Sequence, residues 1–165
     1  MTNRSKSYIV VPMNSKKTLI GPEEIDSRIA WFTGLCRKKG LKVTPQRMAI
    51  YRELIKTDAH PSAEMLYAKV REIHPNISLD TVNRTLLTLN EIGAAFIVEG
   101  SGDAKRFDGD LEKHQHFKCL KCKRVIDFSH EPFNNINVPA EIEGRFTVLR
   151  KSVYLEGICD QCEQT

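Results

Sequence analysis

At 165 residues, 41% hydrophobic and 28% charged, the chain holds enough material for one packed domain or two small ones sharing an interface. Its net charge of +4 is matched by residues 1–21 alone, where Arg4, Lys6, Lys16 and Lys17 meet no acid. No apolar run is long enough to span a membrane and no secretory h-region opens the sequence, which excludes membrane and export classes; with five cysteines, a reducing cytoplasm is expected.

The basic stretch 1–21 has no helical period and reads either as a solvated tail or as an arm touching phosphates. Gly21-Pro22-Glu23 opens a helix with Ile25, Ile29, Phe32 and Cys36 on one stripe, and Gly40 ends it. On that stripe the lone Cys36 is a core residue. Thr44-Pro45 starts a second helix, Thr44 as N-cap and Pro45 in the first turn, with Met48, Tyr51 and Ile55 on one face. Ser62 caps a third helix from Ala63 to Ile73, with Leu66 and Val70 inward, and Pro75 stops it.

After the turn His74-Pro75-Asn76-Ile77, Ser78 caps a fourth helix running to Ile92. Leu79, Val82, Leu86 and Leu89 form its expected buried stripe, while Thr81, Asn83, Arg84 and Thr88 lie opposite. Two helices joined by so short a turn match a helix-turn-helix, whose second helix enters the major groove. Segments 94–98 and 104–107 then form a hairpin, or wing, around Gly100-Ser101-Gly102-Asp103. A helical bundle with an appended hairpin fits the same pattern. The cations Arg37, Lys38, Lys39, Lys42 and Arg47 favour phosphate contact, so Ser78, Thr81, Asn83, Arg84 and Arg47 are the candidate DNA-contacting residues.

The second half changes character. Segments 117–120 and 125–128 read as strands, 131–142 has room for one short helix between Pro132 and Pro139, and 146–155 alternates as a further strand. Cys119/Cys122 and Cys159/Cys162 form two CxxC pairs. Four thiolates at that spacing suit one tetrahedral Zn²⁺ in a closed, structural shell; disulfides or a redox thiol pair are the rival readings. His114-Gln115-His116 places two imidazoles on one face of an extended strand, with Asp108 upstream, Asp127 downstream and His60 ahead of the third helix. A set of three histidines and two carboxylates suits Fe²⁺ or Mn²⁺ better than a thiolate site would. By spacing alone only His114-x-His116 stands out; His60 and Asp108 also read as loop and turn residues.

The segments LKVTPQRMAIY, AHPSAEMLY, ISLDTVNRTLLTLNEIG, KRFDGD, HQHFKCLKCKRVIDF and YLEGICDQC, in this order, resemble the ferric uptake regulator family of bacterial metal-dependent repressors. The resemblance covers about Gly40 to Cys162. It implies an α+β homodimer with a winged-helix DNA-binding domain over 22–105 and a small α/β dimerisation domain over 106–165; the basic, flexible arm expected over 1–21 is read from composition alone and is longer than family members often need. The resemblance implies a structural zinc on Cys119, Cys122, Cys159 and Cys162. It also implies a regulatory Fe²⁺ or Mn²⁺ on His60, Asp108, His114, His116 and Asp127, and binding to double-stranded operator DNA.

Aspartate at both 108 and 127 resembles the peroxide-sensing branch, in which iron-catalysed oxidation of a ligand histidine, here His60 or His114, releases DNA. The alternative within the family is an iron-responsive uptake regulator. Its additional metal site finds no ligand set here, because Lys113, Gln115 and Lys151 occupy those positions. Asn83 stands where family members commonly carry tyrosine, which alters the expected operator contact. A zinc-stapled, metal-dependent hydrolase is the alternative of a different class, although no separate general base or nucleophile stands out.

Overall fold

The computed structural model describes residues 20–98 and 104–164. The basic arm, apart from its last two residues, and the hairpin turn at 100–103 lie outside them.

Four helices build the first half: α1 (Pro22–Lys38), α2 (Pro45–Ile55), α3 (Ala63–Ile73) and α4 (Leu79–Glu91). Three begin at the expected caps. Thr44 accepts from the Arg47 N–H at 3.2 Å, Ser62 from Met65 at 3.3 Å and Ser78 from Thr81 at 3.1 Å. Each cap satisfies a donor the helix itself cannot, worth about 1 kcal/mol. Gly40 and Gly93 follow α1 and α4 at φ +68 and +78, a left-handed turn that glycine makes without a Cβ clash. Phe32 stacks on Tyr51 with centroids 4.1 Å apart. Around this pair Ile50, Leu54, Leu66, Val82, Leu86 and Leu89 are fully buried. Removing each such side chain from water stabilises by about 1.5–3 kcal/mol before the entropy of ordering is counted.

The stripe on α4 differs from expectation at one position. Leu79 is exposed, and Thr85 is buried with Val82, Leu86 and Leu89. Leu79 is the first helical residue, at the solvent-open end of the helix. Ile77 instead plugs the turn, buried and with its N–H donating to the His74 carbonyl.

Strands β1 (Phe96–Val98) and β2 (Arg106–Asp108) pair antiparallel, with Ile97 opposite Phe107. Phe107 is buried in the helical core. The division expected after residue 105 therefore falls inside the chain's pairing with the helical half: β2 hydrogen-bonds to β1 and carries that half to Asp108.

The second half is a three-stranded sheet, order β4-β3-β5, from β3 (Gln115–Cys119), β4 (Val125–Phe128) and β5 (Tyr154–Gly157). β3 pairs antiparallel with β4 and parallel with β5. The strand expected over 146–155 is only its last two residues, extended to Gly157. Alternation buries a strand only where an edge and a covering face exist, and within one chain β3 offers its edge at 154–157 alone. Phe146, Val148 and Leu149 stay exposed, Leu149 by 92%. The single helix expected over 131–142 is two one-turn helices, α5 (Glu131–Asn134) and α6 (Ala140–Glu143), separated by Asn135 to Pro139. A last turn, α7 (Asp160–Glu163), carries Cys162. Among the described residues no helix is long and apolar enough to cross a membrane.

Candidate metal centres and DNA-reading helix

The four paired cysteines meet at one end of the sheet. Cys119 ends β3, Cys122 lies in the turn before β4, and Cys159 and Cys162 flank the start of α7 just after β5. All four sulfurs lie within 4.8 Å of one another, and none is in a disulfide. Cys122 Sγ and Cys159 Sγ are 3.8 Å apart. A tetrahedron of Zn–S bonds of about 2.3 Å has edges of about 3.8 Å, whereas a disulfide needs about 2 Å. The N–H groups of Cys122 and Cys159 donate to Cys119 Sγ at 3.5 and 3.4 Å. Led by the Cys122 donor, they pull that thiol down to about 6 against burial. The Cys159 thiol and burial push Cys162 up to about 12. Thiols so crowded ionise together only around a cation, which is the chemistry of a closed Cys₄ zinc shell.

The second cluster lies where the two halves meet. His60 comes from the loop before α3, Asp108 from the end of β2, His114 from just before β3, His116 from the start of β3, and Asp127 from β4. His116 and Asp127 are register partners, so their side chains share one face of the sheet. His60, Asp108, His114 and His116 each offer an atom within 4.8 Å of the others. Asp108 Oδ2 is 2.8 Å from His114 Nε2 and 3.3 Å from His116 Nε2. Asp127 Oδ1 is 2.8 Å from His60 Nε2 and 3.5 Å from His116 Nε2. Bonds of about 2.0–2.2 Å around one ion span distances of this size.

Two details test whether these groups suit a cation. His114 Nδ1 is 2.9 Å from the Glu112 carbonyl, which only accepts, so Nδ1 carries a proton, and it is Nε2 that would give up its proton and offer a lone pair to a cation. His60 Nε2 and Asp127 Oδ1 are buried and face each other, yet neither has a hydrogen bond of acceptable geometry. Buried polar atoms left unsatisfied are costly, and a shared cation satisfies both. Without one, burial disfavours the Asp108 carboxylate, but His114, His116 and His60 outweigh burial and hold its carboxyl well below the usual range. Burial likewise opposes the His114 cation, and Asp108 outweighs it, pushing the imidazole up to about 9.

His60, Asp108, His114 and His116 thus meet as one group, although spacing alone left His60 and Asp108 as loop and turn residues, and Asp127 lies beside it against His60 and His116. Lys113 and Lys151 add no ligand, and Gln115 is engaged: it donates to Asn134 Oδ1 at 2.5 Å and accepts from the His130 N–H at 2.9 Å. Sequence reasoning missed Arg106, which hydrogen-bonds to the backbone of the His60 loop from 46 positions away. No local signal marks such a contact.

Ser78, the N-cap of α4, is exposed and hydrogen-bonded to Thr81 Oγ1 at 2.8 Å, and Asn83 within the helix is half-buried. Arg84 is exposed, its Nε 3.3 Å from Asp80 Oδ2. Thr81 is half-buried like Asn83, so among these four Ser78 and Arg84 are the exposed side chains. Arg47 is less free: its guanidinium donates to the Lys42 carbonyl, bracing the loop before α2.

Residues 38–156 match the model of the ferric uptake regulator family. The chain is 30% identical over 142 residues to the peroxide-responsive repressor PerR of Staphylococcus epidermidis, covering 86% of this chain and 95% of that one. Its fold is similar to the ferric uptake regulator Fur of Helicobacter pylori, with a TM-score of 0.68 at 22% identity over 91% of this chain and 99% of that one. It is also similar to the ferric uptake regulator from Pseudomonas aeruginosa with manganese, with a TM-score of 0.58 at 27% identity over 78% and 97% of the two chains.

Proposed function

The chain belongs to the ferric uptake regulator family, and from that premise we propose that it is a homodimeric, metal-dependent repressor that binds operator DNA and senses peroxide. The observation that carries this reading is the junctional cluster. His60 and Asp108 come from the helical half, and His114, His116 and Asp127 from the sheet half. One cation held by both halves favours a single relative orientation. In a dimer that orientation fixes the spacing of two α4 helices over a palindromic site.

The proposed parts follow from this. Cys119, Cys122, Cys159 and Cys162 hold a structural zinc. His60, Asp108, His114, His116 and Asp127 hold Fe²⁺ or Mn²⁺, a choice favoured by their mixed nitrogen and oxygen donors. Ser78, Thr81, Asn83 and Arg84 read DNA from α4, with Arg47 bracing the neighbouring loop. Residues 22–105, continued by β2, form the DNA-binding unit, and the sheet half dimerises. Exposed Phe146, Val148, Leu149, Leu155 and Ile158 give a second copy an apolar surface to cover.

Peroxide sensing is the finer part of the proposal. Its support is the likeness to a peroxide-responsive repressor and the pair of aspartates in the site. Bound iron would activate peroxide so that one of its oxygen atoms goes to an imidazole carbon, the ring losing two electrons, and the other leaves as water. His60 and His114 then stand as the groups that gain oxygen, and a modified ligand no longer holds the two halves together. The chain is spent in doing so and does not turn over.

The test uses full-length, zinc-loaded protein and an operator selected from random DNA. Fe²⁺ and Mn²⁺ should each switch on binding. Low peroxide should release only the iron form, with one oxygen added to the peptide carrying His60 or His114 by mass spectrometry. An iron form that keeps both histidines intact while binding tracks Fe²⁺ concentration identifies an iron-responsive uptake regulator instead.

A further inference from the structure

Resting on the reading that His60 is a metal ligand, we infer that Arg106 is the positioning residue that holds His60 ready and ties the β1–β2 hairpin to the metal centre. His60 sits at φ +46, in the left-handed region that a residue with a Cβ rarely adopts. Its ring is buried, and neither ring nitrogen makes a hydrogen bond among the described residues. The ring packs edge-on against His116 with centroids 5.0 Å apart, and the hydrogen bonds that place it are those of its backbone. Arg106 Nε donates to the His60 carbonyl, and its Nη2 donates to the Ala59 carbonyl at 2.9 Å. The next N–H along β2, that of Phe107, donates to the Pro61 carbonyl at 3.0 Å. Three successive carbonyls of the loop thus accept from two successive residues of one strand.

The residue after those two is Asp108, itself part of the cluster. Arg106 to Asp108 therefore sets the loop that carries one ligand and delivers another. A planar fork with several N–H donors spans two neighbouring carbonyls in one fixed geometry, and its charge makes both bonds stronger than neutral ones. Remove the fork and the loop at 59–61 loses what holds it in the left-handed turn. His60 then withdraws while His114, His116, Asp108 and Asp127 remain. Because β2 is also half of the hairpin beside α4, the clamp passes metal occupancy to the segment flanking the DNA-reading helix.

The experiment compares full-length, zinc-loaded wild type with Arg106→Ala, Arg106→Lys, His60→Ala and His116→Ala. Mn²⁺ affinity is measured by calorimetry, and the ligand set by the visible absorption of bound Co²⁺. Arg106→Ala should weaken Mn²⁺ about 10- to 100-fold, the usual loss for a residue that orients a ligand. Its Co²⁺ spectrum should converge on that of His60→Ala, with zinc retained. Arg106→Lys, a cation without the fork, should fall between the two. Wild-type affinity and spectrum in Arg106→Ala overturn the inference. Should Arg106→Ala fail to fold, Arg106→Lys decides it: an unchanged affinity and spectrum there overturn it equally. Were His116→Ala also to bind Mn²⁺ like wild type, the metal reading itself would fall and the inference with it. Loss in His116→Ala alone condemns only the role of Arg106.

Discussion

The two clusters differ in where their ligands come from. The four cysteines belong to one sheet: Cys119 ends β3, Cys122 follows in the turn to β4, and Cys159 and Cys162 follow β5. A metal there joins segments that β-pairing already holds side by side, so it acts as a staple. His60 and Asp108 instead belong to the helical half and His114, His116 and Asp127 to the sheet half. A metal there joins parts that local pairing does not hold together. On the proposed reading, filling the first would change stability and filling the second would change orientation. Donor chemistry agrees, since four soft thiolates close a shell that holds zinc tightly, while imidazoles and carboxylates hold iron or manganese exchangeably.

The largest expected effect comes from breaking the staple. In the sheet half the buried cluster is small, Cys119, Ile126 and Cys159 with Phe117 and Cys162 against it. Structural zinc is worth about 10–16 kcal/mol in small metal-folded modules, far more than that cluster provides. Cys119→Ser and Cys162→Ser should each lose zinc and unfold the sheet half or dissociate the dimer. Metal analysis with sedimentation checks this; a variant that lacks zinc yet stays a folded dimer would erase the distinction between the centres.

His60→Ala probes the other side. It should keep zinc and melt near wild type, but its operator binding should no longer respond to Mn²⁺. Couplings of this kind are worth about 5- to 150-fold in affinity. Zinc loss in this variant, or full Mn²⁺ stimulation, would mean that the junctional cluster is not an independent switch.

Smaller again is the readout itself. Arg84→Ala should cost about 1–3 kcal/mol in specific DNA binding, the worth of one good base contact, while leaving both metals in place. Thr81→Ala should act in the same direction. Quantitative gel shifts on a selected operator, with and without Mn²⁺, separate this loss from that of His60→Ala. Arg84→Ala lowers affinity and keeps the metal response.

Much of this comparison was legible in the sequence, and the gaps have physical causes. Thr44, Ser62 and Ser78 announced three helix starts because a cap acts within one turn. The CxxC pairs announced themselves because ligands three positions apart can share a turn. The alternation over 146–155 misled, because it reports a face to be covered and not whether the same chain covers it. His60 was visible only through family resemblance. Its partners lie 48 or more positions away, and its left-handed backbone is held by Arg106, which no periodicity connects to it.

The last prediction sharpens the comparison through protons. In the metal-free junctional cluster Asp108 holds His114 up to about 9, against the opposing effect of burial. At pH 7 that imidazole is therefore protonated, and a cation must displace the proton before it can take Nε2. Affinity is lowest in acid and rises by up to tenfold per pH unit for each displaced proton. It flattens for His114 above about pH 9, where the ring is already neutral. Calorimetry in buffers of different ionisation heat should find about one proton released from His114 per Mn²⁺ bound at pH 7, and a Mn²⁺ affinity that climbs towards pH 9. Zinc content should stay constant over the same range, since the thiolates already carry their metal. Manganese affinity that is flat with pH, with no proton released, would show that the cation does not reach His114 and that the cluster is not one site.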